Sequence, residues 1–430
     1  MRTHIAKSIE DFQNIRELAE GETWKHARRF LERAPQNPFA DHLRWLEDDG
    51  RPVACVQVFV HQYPIGRAQV GMCLPEYPFV PPELRGRGYF KKIMADLFGW
   101  MPESGYPLAY DHGVKGLYTS ALGYAPGFHH CIVLIRVGDV LKLNAEGDAD
   151  TPSEADLKAH ESLFRRPFPL GRGMQCRDER WRPELDCVRV VRGCADREIR
   201  AFVVLGEAFA GRRPNSSAYG GFKPPEGDHV VTITDAWASD LAAAALLLRH
   251  VAEEAETLSY GWIRLNCRRD DPLARIAVLA GGELRWCAAQ ERDHTEKGED
   301  VDSFCLVDLP LAVRQLLPEL SERWRSSTGC APEAILLRTD AGEVVLGLGR
   351  ELTLLDSAPA GTPQVYLPRK AMTQAIIGYA APTELCFLHA GCEIHESCCA
   401  AVDVLFEARE PHLIHEGYAF AGPNEFGLVP

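Results

Sequence analysis

The sequence has no apolar run long enough to span a membrane. A membrane helix needs about 18–20 consecutive apolar residues, and the longest candidate, 241–248, is short and rich in alanine. No signal peptide is visible either, because Glu10 and Asp11 precede any hydrophobic stretch. These absences predict a cytoplasmic protein that has no membrane partner.

Positive charge is in short supply. Lys and Arg total 47 against 61 Asp and Glu, so the formal net charge is −14. A protein that binds the nucleic-acid backbone needs a broad basic face. The composition therefore predicts no nucleic-acid partner, and it is compatible with cationic small molecules as ligands.

Closely spaced cysteine pairs are missing as well. None of the 14 cysteines forms a C-x-x-C pair, although metal sites usually bring ligands together at such spacings. We therefore expect no metal. Most cysteines lie in apolar contexts such as 53–56, which predicts small buried hydrophobic side chains in a reducing compartment.

The 430 residues divide into three segments of different texture. At roughly 150 residues per domain, the length suggests two to four domains. An acidic stretch with Thr151-Pro152-Ser153, and a polar run at 291–300, are typical of loops between domains. The predicted domains are residues 1–145, 153–300 and 301–430.

Strand and helix patterns are mixed in each segment, which indicates an α/β (α+β) fold. Alternation predicts a hairpin of strands 52–60 and 68–74 with its turn at Gly66-Arg67. From Phe90 the apolar residues switch to helical spacing. Further strands are predicted at 107–110, 131–135, 230–234, 262–266, 334–338 and 344–348. Further helices are predicted at 114–122, 241–256 with Asp240 as N-cap, 311–324, 370–378 and 401–406.

The stretch 80–90 joins a predicted strand to the start of the predicted helix. Gly86 and Gly88 let the backbone bend tightly and turn N–H groups toward one point, where the positive end of the helix dipole also aims. Four basic residues add charge there: Arg85, Arg87, Lys91 and Lys92. The pattern predicts a pyrophosphate site, although a glycine-capped surface loop with solvated arginines would have the same residues.

This loop resembles the acetyl-CoA loop of the Gcn5-related N-acetyltransferases, [Q/R]-x-x-G-x-[G/A]. Residues 85–90 fit that pattern except at Phe90, which replaces Gly or Ala. A second motif, 117–124, resembles the family's fourth helix and following turn, Y-x-x-x-G-[F/Y], with one extra residue before Gly123. The resemblance implies the acetyltransferase fold for the first segment.

The three-part layout resembles the enhanced-intracellular-survival (Eis) type of these enzymes. That type has two tandem acetyltransferase-like mixed-sheet domains followed by an α+β domain like that of sterol carrier proteins. Residues 344–349 and 405–420 carry the likeness of the third segment. The resemblance also implies a homo-oligomer, a hexamer. The second domain is expected to have no cofactor site, because 233–240 lacks glycine and its Asp235 and Asp240 would repel phosphate.

The resemblance implies transfer of an acetyl group from acetyl-CoA to a primary amine of an aminoglycoside-like, polyamine or lysine acceptor. A backbone N–H at Phe79 or Val80 would hold the thioester carbonyl. The acetyl-CoA site would consist of Phe79, Val80, Arg85, Gly86, Arg87, Gly88, Tyr89, Phe90 and Lys91.

Tyr118 resembles the tyrosine that protonates the CoA sulfur, although the extra residue before Gly123 shifts its helical phase by ~100°. The base remains open between the Pro430 carboxylate, which would have to fold back, and Asp111 or His112. Three aromatic residues are candidates for an acceptor pocket: Trp24, Phe30 and Trp45. The helical spacing of Trp24 and Phe30 fits the core equally well.

Two other functions fit the same residues. The departures at Phe90 and Tyr118 suggest a non-catalytic sensor or scaffold that binds acyl-CoA without turnover. The third segment suggests a lipid-binding protein, which would require a deep apolar cavity there.

Overall fold

A computed structural model describes residues 1–5, 15, 43–114, 122–127, 130–145, 147, 149, 153–155, 175–176, 188–193, 198–205, 229–267, 271–287, 300–327, 332–408 and 412–413. The chain divides into two compact units. The first unit comprises residues 1–127, 302–409 and 421–430, and the second comprises 128–301 and 410–420.

The strands of the described residues are, in chain order, β1 (Arg2–Ile5), β2 (Arg44–Asp48), β3 (Arg51–Ile65), β4 (Ala68–Phe79), β5 (Leu108–Val114), β6 (Ala125–Pro126), β7 (His130–Arg136), β8 (Gln175–Cys176), β9 (Val188–Arg192), β10 (Ile199–Leu205), β11 (Val230–Ala238), β12 (Trp262–Cys267), β13 (Glu283–Cys287), β14 (Asp300–Leu306), β15 (Ala334–Thr339), β16 (Gly342–Leu348), β17 (Leu352–Leu355), β18 (Gln364–Tyr366), β19 (Glu393–Ile394) and β20 (His412–Leu413). The α-helices there are α1 (Tyr89–Glu103), α2 (Val137–Val140), α3 (Leu241–Thr257), α4 (Pro272–Leu279), α5 (Leu309–Arg325), α6 (Arg369–Ile377), α7 (Pro382–Leu388) and α8 (Cys399–Leu405).

The first unit has two sheets in its described part. One has the strand order β1-β2-β3-β4-β5-β14-β6, and the other has the order β17-β16-β15-β18-β19. The predicted hairpin is confirmed as β3 and β4, and the predicted helix from Phe90 is confirmed as α1. Helix α1 buries the face given by its apolar spacing, with Ile93, Met94 and Leu97 at 1% exposure or less. The mixed α/β class predicted from the sequence is therefore confirmed.

In the sheet of each unit, one strand lies beside strands that are distant from it in the chain. β7 follows β6 in sequence, yet it lies between β12 and β13 in the second unit's sheet, whose order is β13-β7-β12-β11-β10-β9. β14 follows β13 in sequence, yet it lies between β5 and β6 in the first unit's sheet. The strand predicted at 131–135 exists, but the structure assigns it to the second unit instead of to a domain 1–145. The position of this strand in the sheet depends on pairing with β12 and β13, which lie far along the chain, and a local sequence pattern does not predict such pairing.

Polar side chains fasten helix α5 to the β3–β4 hairpin. Gln315 Oε1 accepts the N–H of Gly71 at 2.8 Å, and Glu319 Oε2 accepts the N–H of Arg67 at 2.8 Å. Arg323 Nε donates to Glu319 Oε1 at 2.8 Å, and both of these side chains are almost fully buried. This network ties the third segment to the first within one unit. Removal of one partner of the Glu319–Arg323 pair would leave an uncompensated buried charge.

In the second unit, helices α3 and α4 cover the sheet with small and branched apolar residues, among them Ala244, Leu247 and Val251. The predicted N-cap is confirmed, since Asp240 Oδ1 accepts the N–H of Ala243 at 2.9 Å. The helices α4 and α7, each opened by proline at its first residue, were not among the predictions. The helix predicted at 114–122 lies largely outside the described residues, and Val114 itself ends β5.

The cysteines are less uniform than their apolar contexts predict. Cys55, Cys73 and Cys305 are buried as expected, as is Cys398. Cys386, in contrast, is exposed, and two further described cysteines are half-buried: Cys392 and Cys399. Within the described residues, no helix is both long and apolar enough to cross a membrane.

Candidate functional site

The loop between β4 and α1 bends at two glycines. After a short 3-10 turn at Pro82–Leu84, Gly86 has φ +80° and Gly88 has φ +82°. A Cβ at either position would meet no atom within 4 Å. The need for glycine is therefore conformational, because side chains with a Cβ are strained at these angles, and the space beside the loop is open.

The N-terminal end of α1 has no side-chain cap. Gly88 is the N-cap residue and no side chain caps the end. The N–H of Lys92 donates to the Gly88 carbonyl at 3.0 Å, so the regular hydrogen bonding of α1 begins at Lys92, one turn into the helix. A helix end of this kind, at a loop of open glycines, suits an anionic ligand.

The basic side chains of the loop differ in what they contact. Arg85 folds back, with Nε donating to the Val80 carbonyl at 3.2 Å. Lys92 pairs with Asp96 on the next helical turn at 3.1 Å. Arg87 interacts with the Tyr89 hydroxyl. It is nevertheless exposed on the loop, as Lys91 is on the first turn of α1, so both cations can meet a ligand.

Tyr89 anchors the start of α1 to the β2–β3 turn. Its ring is buried, at 7% exposure, and its hydroxyl donates to Asp48 Oδ2 at 2.7 Å. This hydrogen bond raises the pKa of Tyr89. Asp48 precedes a tight turn in which Asp49 and Gly50 have φ +48° and +75°. Local sequence patterns do not predict the role of Asp48, because it lies 41 positions before Tyr89; its one local signal is the Asp-Asp-Gly turn.

Strand β4 carries an irregularity just before the loop. Its register with β3 pairs Glu76 with Gln57 but Phe79 with Cys55, so β4 advances three residues where β3 advances two. Such a bulge takes a backbone group out of the ladder and re-aims the strand. Pro78, which has no N–H, lies inside the bulge and is the sequence signal for it. Phe79 is buried and Val80 half-buried, directly between the bulge and the loop.

β4 and β5 run parallel, and their carboxyl ends lie on the same side as the loop. In the described part of the two strands, their pairing covers Met72 with Leu108 and Cys73 with Ala109, and both strands continue well beyond it. Ligands of mixed sheets commonly bind in the crevice outside the carboxyl ends of parallel strands. Asp111 on β5 is buried, at 3% exposure, and His112 follows it in the strand.

Several predicted site residues lie outside the described residues. These are Tyr118, Pro430, Trp24, Phe30 and the side chain of His112. Trp45 is described, and it is a core residue, buried and stacked on His4 with ring centroids 4.3 Å apart. Its role in an acceptor pocket stays a prediction. Among the described residues, no three His, Cys, Asp or Glu side chains are grouped to hold a metal ion.

Residues of the third segment contact the turn that follows the helix predicted at 114–122. Cys305 Sγ lies 3.7 Å from the Leu122 carbonyl, to which it donates. Gln374 Nε2 of helix α6 donates to the Pro126 carbonyl at 2.9 Å. Strand β14 and helix α6 thus support the turn after 121 from outside the first segment, which local sequence patterns do not predict.

The described junction between β11 and α3 in the second unit does not repeat the loop. β11 extends to Ala238 and only Ser239 and Asp240 separate it from α3. The Asp240 carboxylate caps the helix itself, and the hydrogen bond from the Ala243 N–H lowers the pKa of Asp240. A helix end that its own carboxylate already occupies has no vacancy for phosphate.

Comparison with solved structures agrees with this geometry. A GCN5-related N-acetyltransferase from Anabaena variabilis has a TM-score of 0.66 and 11% identity, with 96% of this chain and 99% of that chain covered. A probable N-acyltransferase from Enterococcus faecalis has a TM-score of 0.66 and 13% identity, over 96% and 98% of the chains. Eis1 from Mycobacterium abscessus has a TM-score of 0.59 and 13% identity, over 96% and 99%.

No family model matches the sequence, and no curated protein matches it either. At these identities the structural likeness establishes the fold. It extends over nearly the whole chain, including the third segment. The chain thus has the tandem mixed-sheet fold of the GCN5-related N-acetyltransferases.

Proposed function

We propose that this protein is an acyltransferase that moves an acetyl group from acetyl-CoA to a primary amine. The observation that carries the proposal is the loop of open, positive-φ glycines at the uncapped start of α1. It lies at the carboxyl end of β4, directly after the bulge. The fold likeness to N-acetyltransferases supports the same reaction class.

The residues of the loop fit acetyl-CoA. Its diphosphate would be held by backbone N–H groups from Gly86 to Lys91 and by the exposed side chains of Arg87 and Lys91. A backbone N–H at Phe79 or Val80, next to the bulge, would hold the thioester carbonyl. Acetyl-CoA supplies the activated acyl group; the protein supplies position and proton transfer.

The acceptor amine must lose a proton before it can attack. An alkylammonium with a pKa of about 10.4 leaves roughly 10⁻³ to 10⁻⁴ free amine at pH 7, a handicap of about 4–5 kcal/mol. The proposed bases are His112 or the Pro430 carboxylate, with Asp111 as the further alternative. Tyr118 is the proposed acid that protonates the departing thiolate.

The acceptor class is proposed by resemblance alone. It comprises aminoglycoside-like multi-amines, polyamines and lysine side chains, all cations compatible with the net charge of −14. On the same resemblance we propose a homo-hexamer and a sterol-carrier-protein-like third domain. Light scattering of the purified chain tests the first of these two.

Titration calorimetry with CoA tests the cofactor site. We expect the wild type to bind, and Arg87→Ala with Lys91→Ala to weaken binding by at least about tenfold, because both cations would lose charge-assisted contacts to the diphosphate. Lys92→Ala is the matched control. Its ammonium is already paired with Asp96, so its affinity should stay near that of the wild type. No heat with the wild type would reject the proposal.

Turnover is measured as release of free thiol from acetyl-CoA with a panel of amines, with mass spectrometry of the products. We expect Tyr118→Phe to lose most turnover while CoA affinity is retained, because only the proton donor is removed. Unchanged rates would exclude Tyr118 from the mechanism. If CoA binds and no amine is acetylated, the sensor function replaces the enzyme.

A further inference from the structure

Two cysteine thiols meet at the end of helix α7. Cys386 is exposed on the helix, and its Sγ donates to the Pro382 carbonyl at 3.4 Å. Cys392 is half-buried, and its Sγ lies 4.0 Å from the carbonyl of Leu385, the residue before Cys386. Each thiol also affects the pKa of the other, which places them near one another. Both sulfur atoms thus lie against backbone carbonyls of the same turn of α7.

The backbone explains why these two residues meet. α7 ends at Leu388 and the next residue, His389, is extended. Gly391 has φ +84°, a conformation that favours glycine, and it turns the chain back. Position 392 therefore returns to the side of the helix that carries position 386, just before β19 begins.

We propose that Cys386 and Cys392 form a reversible disulfide, a redox modification site that reacts with hydroperoxides. In the first step the Cys386 sulfur attacks one peroxide oxygen, the O–O bond breaks, and Cys386 becomes a sulfenic acid as water leaves from hydrogen peroxide. In the second step the Cys392 sulfur attacks that sulfur, the S–O bond breaks, the S–S bond forms and a second water leaves. Two thiols are oxidised and one peroxide is reduced.

The surroundings assign the roles of the two thiols. Cys386 is the exposed member of the pair, and its neighbours Phe387 and Leu388 are exposed at 91% and 63%, so an oxidant has access from solvent. Cys392 is half-buried beside the same helical turn, which suits the resolving thiol. Burial, with the charges of Cys399 and Asp403, raises the pKa of Cys386, and burial raises that of Cys392 to about 11. Since the thiolate is the reactive form, oxidation is slow at neutral pH and faster in alkaline buffer.

Peptide mapping tests the proposal on the full chain. The protein is reduced, treated with hydrogen peroxide in mildly alkaline buffer, labelled with N-ethylmaleimide and cut after glutamate. Glu384 and Glu393 release both cysteines in one peptide, and the cut at Glu396 separates them from Cys398 and Cys399. We expect this peptide to lose two hydrogen atoms and to stay unlabelled until it is reduced again.

Variants make the outcome specific. Cys399→Ser removes another thiol whose charge acts on Cys386 and should leave the internal disulfide unchanged. Cys392→Ser should abolish it and leave Cys386 labelled or oxidised alone. Two labelled cysteines in the peroxide-treated wild type, or a bond from Cys386 to another cysteine or another chain, would overturn the proposal. Thermal melting of each reduced variant checks that it is folded.

Discussion

At the scale of single residues, two helix N-termini meet the same electrostatic problem in opposite ways. Gly88 begins α1 without a side chain, and no side chain caps that helix end. Asp240 begins α3 with a carboxylate that accepts the Ala243 N–H at 2.9 Å. The difference was predictable from the sequence, because glycine and aspartate differ in exactly the atoms that fill a helix end.

Gly88→Ala is the sharpest test at this scale. Alanine at φ +82° should cost about 1–2 kcal/mol of backbone strain, so we expect lower thermal stability and roughly tenfold weaker CoA binding by calorimetry. Gly99→Ala is the control. Gly99 lies inside the same helix with open space around it, and alanine there should stabilise by about 0.5–1 kcal/mol. Equal behaviour of the two variants would contradict the role assigned to the loop.

At the scale of elements, an ion cluster joins the edge strand β9 to α3. Arg189 Nε and Nη2 donate to the two Glu254 oxygens at 2.6 and 2.7 Å, and His250 Nε2 lies 2.8 Å from Glu254 Oε1. Burial acts to raise the pKa of Glu254, but the hydrogen bonds and charges of His250 and Arg189 outweigh it and lower the pKa to about 2.

This shift predicts a pH dependence of stability. A carboxyl with a depressed pKa stabilises the folded state above its ordinary value of 4.5, and that contribution is lost as the pH falls toward 2. Glu254→Gln should therefore lower the free energy of unfolding by about 1–2 kcal/mol at pH 7, after allowance for solvent screening. The gap from the wild type should close in denaturant titrations between pH 4.5 and 2.

Glu253→Gln is the matched control for this cluster. Glu253 is exposed and pairs only one turn away with Arg249 at 3.0 Å, a contact typically worth a few tenths of a kcal/mol. We expect its unfolding curves to follow the wild type at every pH. A loss as large as that of Glu254→Gln would show that the effect is general surface charge.

At the scale of the whole molecule, the sheets are built from strands that are not consecutive in the chain. Phe304 of β14 is fully buried and its ring lies 5.0 Å from that of Tyr110 on β5. Its neighbouring strands in the sheet, β5 and β6, precede β14 in the chain, and the strands β7 to β13 lie between them in sequence. The first unit is therefore incomplete until residues 302–306 have joined it.

Phe304→Ala tests this arrangement. Truncation of a buried phenylalanine typically costs about 3–5 kcal/mol, and we expect hydrogen exchange to become faster in β5 and β6. Exchange in β13, the nearest strand that precedes Phe304 in sequence, should stay unchanged. Phe202 is also fully buried, but it lies in β10. Phe202→Ala should therefore make exchange faster in the second unit and leave exchange in β5 and β6 unchanged. Faster exchange in β13 alone would mean that β14 does not belong to the first sheet.

Much of the local structure was predictable. The spacing of Ile93, Met94 and Leu97 indicates α1 because amphipathic periodicity is a property of neighbouring residues. Gly86, Gly88 and the basic residues predict the loop for the same reason. The apolar context of Cys386 predicted a buried side chain, and this prediction is wrong. A nearby apolar residue can itself be exposed, as Phe387 is at 91%.

The sequence by itself determined many of the elements, the Asp240 cap, the glycine loop between β4 and α1, and the lack of glycine at the described junction between β11 and α3. Each depends on the chemistry of residues within a few positions of one another. The tertiary structure alone decided the sheet positions of β7 and β14, the Tyr89–Asp48 hydrogen bond and the hydrogen bond from α6 to the 122–126 turn. These depend on contacts across dozens to hundreds of residues, whose free energy exists only once the sheets have formed.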